Sequence, residues 1–223
     1  MTPDLAADSA VSLAAVAGLG ITLRRITSDD PLASRFRFCL IVMGALMLVR
    51  VGFWTTGLWP LRAATVILAG MMPLTGLLLA EGMLRRHAPP LLKRLVAAGV
   101  IGIGVLAFLP DRMAEPGRIY AMLGFQVLVL GLLAGFVLRR DRASLTPAEN
   151  RTIDQMALSF LLILPLLITD YRGGPIDPPV RMGGIALLGL CWLSLGTGRA
   201  GVGVRPILWG FAAMLALTAA LTG

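Results

Sequence analysis

Charge is what this chain has least of. Only 14% of its 223 residues are Asp, Glu, Lys or Arg, against about 25% in an ordinary soluble domain. The charges that remain sit in short turns between long apolar runs. With 57% hydrophobic residues and a mean hydropathy of +0.84, the composition excludes a soluble globular protein. No polar stretch is long enough to form a separate soluble domain, so residues 1–223 read as one transmembrane domain.

Histidine is nearly absent. His87 is the only one and lies in a basic turn, which excludes haem held by paired intramembrane histidines and any polyhistidine metal centre. Carboxylates are also thinly spread. Asp29-Asp30 is the only adjacent pair and reads as turn chemistry beside Pro31, whereas a metal-dependent lipid enzyme needs several carboxylates close together around its divalent cation. The two cysteines, Cys39 and Cys191, lie inside apolar runs. They read as small buried hydrophobes rather than a disulfide. Ser159 has no base within its own helix and no GxSxG context. The sequence therefore assigns no catalytic residue, no metal ligand and no cofactor. It offers no secretory leader either: Asp4 and Asp8 precede the first apolar run and Arg24-Arg25 follow it, the reverse of a basic leader before an apolar core.

Eight apolar runs fill the chain, approximately Ser9–Leu23, Phe38–Trp54, Ala63–Leu84, Leu95–Leu109, Ile119–Leu138, Met156–Thr169, Met182–Gly196 and Ile207–Leu221. A membrane-spanning helix needs about 20 residues. The first, sixth, seventh and eighth runs are shorter, so their helices should extend into the interface. For the sixth, Thr146-Pro147-Ala148-Glu149 is a capping box with proline at the first helical position, which starts that helix near Pro147. The expected fold is an all-α, polytopic integral membrane bundle of eight transmembrane helices, or seven if the last run does not cross.

The tripeptide Leu-Arg-Arg closes the first, third and fifth runs, at Leu23-Arg24-Arg25, Leu84-Arg85-Arg86 and Leu138-Arg139-Arg140. Fourteen of the twenty basic residues fall in the turns after odd-numbered runs, which places those turns in the cytoplasm and both ends of the sequence outside. A bacterial inner membrane suits this bias. The net charge of +8 does not point to nucleic acid, because the cations line membrane edges instead of one tail or helix. Arg24, Arg25, Arg85, Arg86, Arg139 and Arg140 form a candidate cytoplasmic rim for anionic phospholipids of the bilayer, or for a membrane or cytoplasmic protein partner.

Two ionisable residues lie within the runs. Arg50, near Trp54, is expected to snorkel outward, and Glu81 to pair with Arg85 one turn on. Pro73 and Pro165 interrupt the third and sixth runs, and Pro73 frees the carbonyl of Ala69. With Thr75 and with Gln126, the strongly polar residue near mid-membrane, they outline a candidate solute path. Gln126 also suits an interhelical hydrogen bond. Gly124, Gly131 and Gly135 share one face of the fifth run and could serve helix contact or self-association. On the opposite side, Trp54, Trp59, Arg62, Asp170, Arg172 and Asp177 outline a candidate outer mouth. These features favour a non-catalytic, sensor-like or scaffolding membrane module. The alternatives are a small transporter or channel for a neutral or weakly polar solute, and then a lipid-modifying enzyme.

Overall fold

A computed structural model describes residues 3–26, 31–109, 111–143, 145–147, 149–151, 153, 154, 157, 183 and 184. These residues are all-helical, with no strand among them. The helices are α1 (Pro3–Arg25), α2 (Pro31–Thr56), α3 (Trp59–Leu84), α4 (Pro90–Ala107) and α5 (Asp111–Leu138), and helical residues resume at Pro147. All five are long and apolar enough to cross a membrane. At 1.5 Å per residue the 26 residues of α3 extend about 39 Å, beyond the roughly 30 Å hydrocarbon core. Of the eight expected runs, the last three lie almost wholly outside the described residues, as does Pro165.

Each helix starts earlier than its apolar run because proline starts it. Pro3, Pro31 and Pro90 open α1, α2 and α4, Pro60 is the second residue of α3, and Pro110 immediately precedes α5. Proline at the first helical turn lacks only an N–H that would find no partner there, and its fixed φ suits the helix. The short α2–α3 turn needs a left-handed residue, which Gly57 supplies at φ +68°, its N–H returning to the Phe53 carbonyl at 2.8 Å.

Successive helices run antiparallel, and α3 is the central one, packed by α2, α4 and α5 while α1 packs on α2. Buried side chains form two clusters along α3. One joins Ala15 and Leu19 of α1, Leu40 and Met47 of α2, and Ala69 and Met72 of α3. The other joins Leu77 and Ala80 of α3, Val96 of α4, and Val129 and Leu133 of α5 with Ile153. Lipid tails are as apolar as these side chains, so close fit rather than burial from water holds such helices together. Glycines supply the fit as notches for large residues. Gly44 of α2 receives Leu19, Gly70 of α3 receives Ile103, and Gly99 of α4 receives the Phe125 ring. Gly124, Gly131 and Gly135 of α5 face open space among the described residues.

Candidate functional site

The polar groups of the bundle concentrate at three levels. At mid-bundle, the Gln126 side-chain amide donates to the Ala69 carbonyl at 3.0 Å. This is the acceptor that Pro73, four residues on, leaves without its intrahelical partner. Gln126 is 2% exposed, so one member of the candidate solute path is held in an interhelical bond between α5 and α3, on the carbonyl that another member, Pro73, frees. Thr75, also buried, returns its hydroxyl to the Met72 carbonyl at 2.8 Å. Three members of the path are thereby bound to helix backbone or form part of it.

At the aromatic-rich end, Arg50 does not reach outward. It is 6% exposed and turns toward α1, within 3.5 Å of Ser12 Oγ and 3.1 Å of Met47 Sδ. Its guanidinium lies 5.0 Å from the centre of the Trp54 ring. Asp8, one turn before Ser12 on α1, is buried on the same face. Polar groups between α1 and α2 give Arg50 an interior environment, and the expected snorkelling is not needed. Of the candidate outer mouth, Trp59 is half exposed and meets Phe108 with ring centroids 6.0 Å apart, and Arg62 is half-buried. Arg118 lies inside α5 and donates to the Leu109 carbonyl at 2.8 Å, closing the end of α4. Asp170, Arg172 and Asp177 lie outside the described residues.

The arginine-rich end is the most elaborated. Glu81 does not pair with Arg85. It accepts from the Ala88 N–H at 2.7 Å and from Lys93 Nζ at 2.8 Å, with His87 Nδ1 at 3.7 Å. The chain's one lysine and one histidine thus both lie against this buried carboxylate and fold the α3–α4 turn over it. The helical i, i+4 pairing fails because α3 stops at Leu84. Arg85 takes a left-handed conformation, φ 50° and ψ 27°, and its side chain leaves the helix face. That conformation costs a non-glycine residue about 1–2 kcal/mol. Arg85 instead meets Glu149 at 3.1 Å, with side-chain exposures of 80% and 36%, and an exposed pair of this kind contributes only about 0–1 kcal/mol.

Glu149 forms the expected capping box. Its carboxylate accepts from the Thr146 N–H and hydroxyl, both at 2.9 Å, while its own N–H donates to Thr146 Oγ1 at 3.3 Å. The backbone N–H of Thr146 first, then its hydroxyl and the Arg85 charge, hold the Glu149 carboxyl below the usual glutamate range.

The six rim arginines divide into different roles. Arg140 is 7% exposed and wholly engaged within the chain. It donates to Asn150 Oδ1 at 2.9 Å, to the Asn150 carbonyl at 3.0 Å and to Asp154 at 2.7 Å. Arg142 also reaches Asp154, at 3.3 Å. Asn150 in turn donates to the Arg142 and Leu145 carbonyls, so the loop after α5 is tied to the helical segment from Pro147. Arg86 stacks over the Phe136 ring of α5 at 5.0 Å. Arg24, Arg86 and Arg139 are exposed, and among the described residues none has a carboxylate partner. The side chain of Arg25 lies outside the description.

Sequence reasoning missed Arg35. It lies across Gly82 of α3, where a Cβ would stand 3.0 Å from Arg35 Cδ, and donates to the Leu78 carbonyl at 3.1 Å. The signal was faint: a glycine near the end of a buried helix, with an arginine at the start of its neighbour. Between α2, the end of α3 and the segment from Pro147 is a cavity of about 600 Å³. It is lined by Pro31, Leu32, Arg35, Glu81, Gly82, Met83, Arg85, Arg86, His87, Glu149 and Ile153. Asp29 and Asp30, just before this wall, are outside the described residues. Comparison with known protein families, with curated proteins and with solved structures gives no match.

Proposed function

We propose that this chain is a non-catalytic, multi-pass module of a bacterial inner membrane, sensor-like or scaffolding, whose arginine-rich end lies in the cytoplasm. There it engages anionic phospholipid or a partner protein. In this reading eight helices span the bilayer, and residues 1 and 223 lie on the outer side. The observation that carries it is the uneven use of the arginines. Arg140 and Arg85 lock the bundle's own segments, while Arg24, Arg86 and Arg139 remain exposed without carboxylate partners among the described residues. Cations left at one end of an apolar bundle are attracted to anionic headgroups by about 1 kcal/mol each near the surface, and the basic bias of that end matches cytoplasmic turns. The polar groups at mid-bundle are engaged with backbone, which favours the module over the transport reading.

The test has two parts. A cysteine placed at Ala143, in a Cys39→Ser, Cys191→Ser background, should react with impermeant maleimide only when the cytoplasmic face is opened. Under gentle extraction, anionic lipid or a protein should co-purify and be lost from the Arg24→Ala, Arg139→Ala variant. Labelling from the outer face would overturn the orientation, and a solitary, lipid-free monomer would overturn the module.

A further inference from the structure

We propose that the cavity at the arginine-rich end is a binding site for a phosphate group, with Arg35 and Arg86 as its ligands. It rests on the reading of that end as a cytoplasmic, anion-engaging surface. The cavity, about 600 Å³, has the size of a small-molecule site, roughly 300–1,000 Å³. Its lining charges are unequal in their engagement. Glu81 is matched by Lys93 and the Ala88 N–H, and Glu149 by Thr146 and Arg85.

That leaves two guanidiniums, one on each of two walls, with no carboxylate partner among the described residues. Each is positioned from behind. Arg35 is seated in the Gly82 notch by its bond to the Leu78 carbonyl, with further N–H donors left over. Arg86 has its guanidinium carbon 5.0 Å over the Phe136 ring, a contact that engages no oxygen acceptor. Two preoriented planar forks suit the tetrahedral oxygens of phosphate. Leu32, Met83 and Ile153 supply an apolar wall beside them, suited to the carbon skeleton that carries the phosphate. Arg85, held left-handed at the same cavity, is a third cation whose exposed bridge to Glu149 can exchange for the incoming anion. The phosphate could arrive on a lipid or on a soluble ligand.

The full chain in phosphatidylcholine nanodiscs is titrated with phosphatidic acid in one arm and with inorganic phosphate in the other, and binding is read by thermal stabilisation and phosphorus NMR. Saturable binding is expected. Arg35→Gln and Arg86→Gln should each weaken it about tenfold, the loss of one charge-assisted contact, while Arg94→Gln, at an exposed cation that does not line the cavity, leaves it unchanged. Saturation by phosphatidic acid alone assigns a lipid source, and saturation by inorganic phosphate as well assigns a soluble one. If neither arginine variant folds, Met83→Trp fills the cavity without altering charge and should abolish binding; binding that survives it overturns the site. No saturable binding in either arm also overturns it. So does an equal loss from Arg94→Gln, which would signify diffuse attraction by the basic end and leave the module reading intact. Conversely, Arg35-dependent binding with outer-face labelling at position 143 would sink the orientation and keep the site.

Discussion

The bond between Gln126 and the Ala69 carbonyl makes a prediction that separates a structural role from a transport role. Gln126→Leu removes the donor and leaves a buried carbonyl that Pro73 already deprives of its helical partner. Interhelical hydrogen bonds in membranes contribute about 0.6 kcal/mol on average and up to about 1.7. An orphaned buried acceptor raises the cost toward about 1–3 kcal/mol, so a loss of about 1–2 kcal/mol is expected. Pro73→Ala changes the situation, because an alanine N–H at position 73 can donate to the Ala69 carbonyl from within α3. In that background Gln126→Leu should cost only a few tenths of a kcal/mol. The pair therefore has a coupling energy of about 1 kcal/mol, measurable as a double-mutant cycle by equilibrium unfolding in mixed micelles. Additive effects, within about 0.3–0.5 kcal/mol, would refute the reasoning. Were Gln126 instead a solute ligand, its substitution would abolish flux and leave the unfolding midpoint in place.

Arg140→Ala removes the donor to Asn150 Oδ1, to the Asn150 carbonyl and to Asp154, leaving Asp154 only its longer bridge to Arg142, and should destabilise the bundle by roughly 2–3 kcal/mol; Arg140→Lys should recover only part of this, since one ammonium cannot reach all three acceptors in the guanidinium's plane. Because the folded Glu149 carboxyl is held below its usual range, its contribution is fully present above the unfolded value and is lost as pH falls through the folded one. Amide exchange in residues 145–151 should accelerate over that acidic window, and the Glu149→Gln variant should show no such pH dependence. Gly99→Ala would drive a methyl into the Phe125 ring and cost about 1–3 kcal/mol as overpacking, whereas Gly131→Ala, open among the described residues, should be neutral or stabilise α5 by up to about 1 kcal/mol. Both variants can be compared in one thermal unfolding series.

Local signals were legible in the sequence, and pairings between helices were not. The Thr146–Glu149 capping box was readable because its whole mechanism lies within four consecutive residues. Pro73, the freed Ala69 carbonyl and Gln126 were each visible alone. Which residue answers that carbonyl depends on how α5 is rotated against α3, and a run apolar on all sides carries no period to reveal it. The same blindness affected the glycines. Among the described residues the notches that fill include Gly44, Gly70 and Gly99, each defined by a large residue on another helix, which spacing within one run does not reveal. The helices begin ahead of their apolar runs because the prolines near their starts precede those runs. Arg50 and Glu81 misled for a related reason, since a residue's nearest partner along the chain is not its partner once a helix ends or another packs beside it.

The second and third Leu-Arg-Arg copies illustrate how one local rule can produce two chemistries. In both, the helix ends on the leucine, and the first arginine is exposed while the second turns back. Arg86 returns onto α5 through Phe136, and Arg140 reaches beyond α5 to Asn150 and Asp154. The second arginines therefore link α3 to α5 and α5 to the segment from Pro147, in a chain of contacts along one end of the bundle. The first copy breaks the rule because α1 continues through Arg25, leaving Arg24 exposed on a helix face. Arg85 is the one first-position arginine held left-handed, and the exposed bridge it gains does not offset that cost. Such a position persists when something else at the site needs the side chain there, and the cavity beside it is lined by both Arg35 and Arg86. Arg85→Gly should therefore stabilise the unliganded chain slightly, by up to about 1 kcal/mol, while weakening phosphate binding. A variant that lost stability without altering binding would break the link between the strained turn and the site.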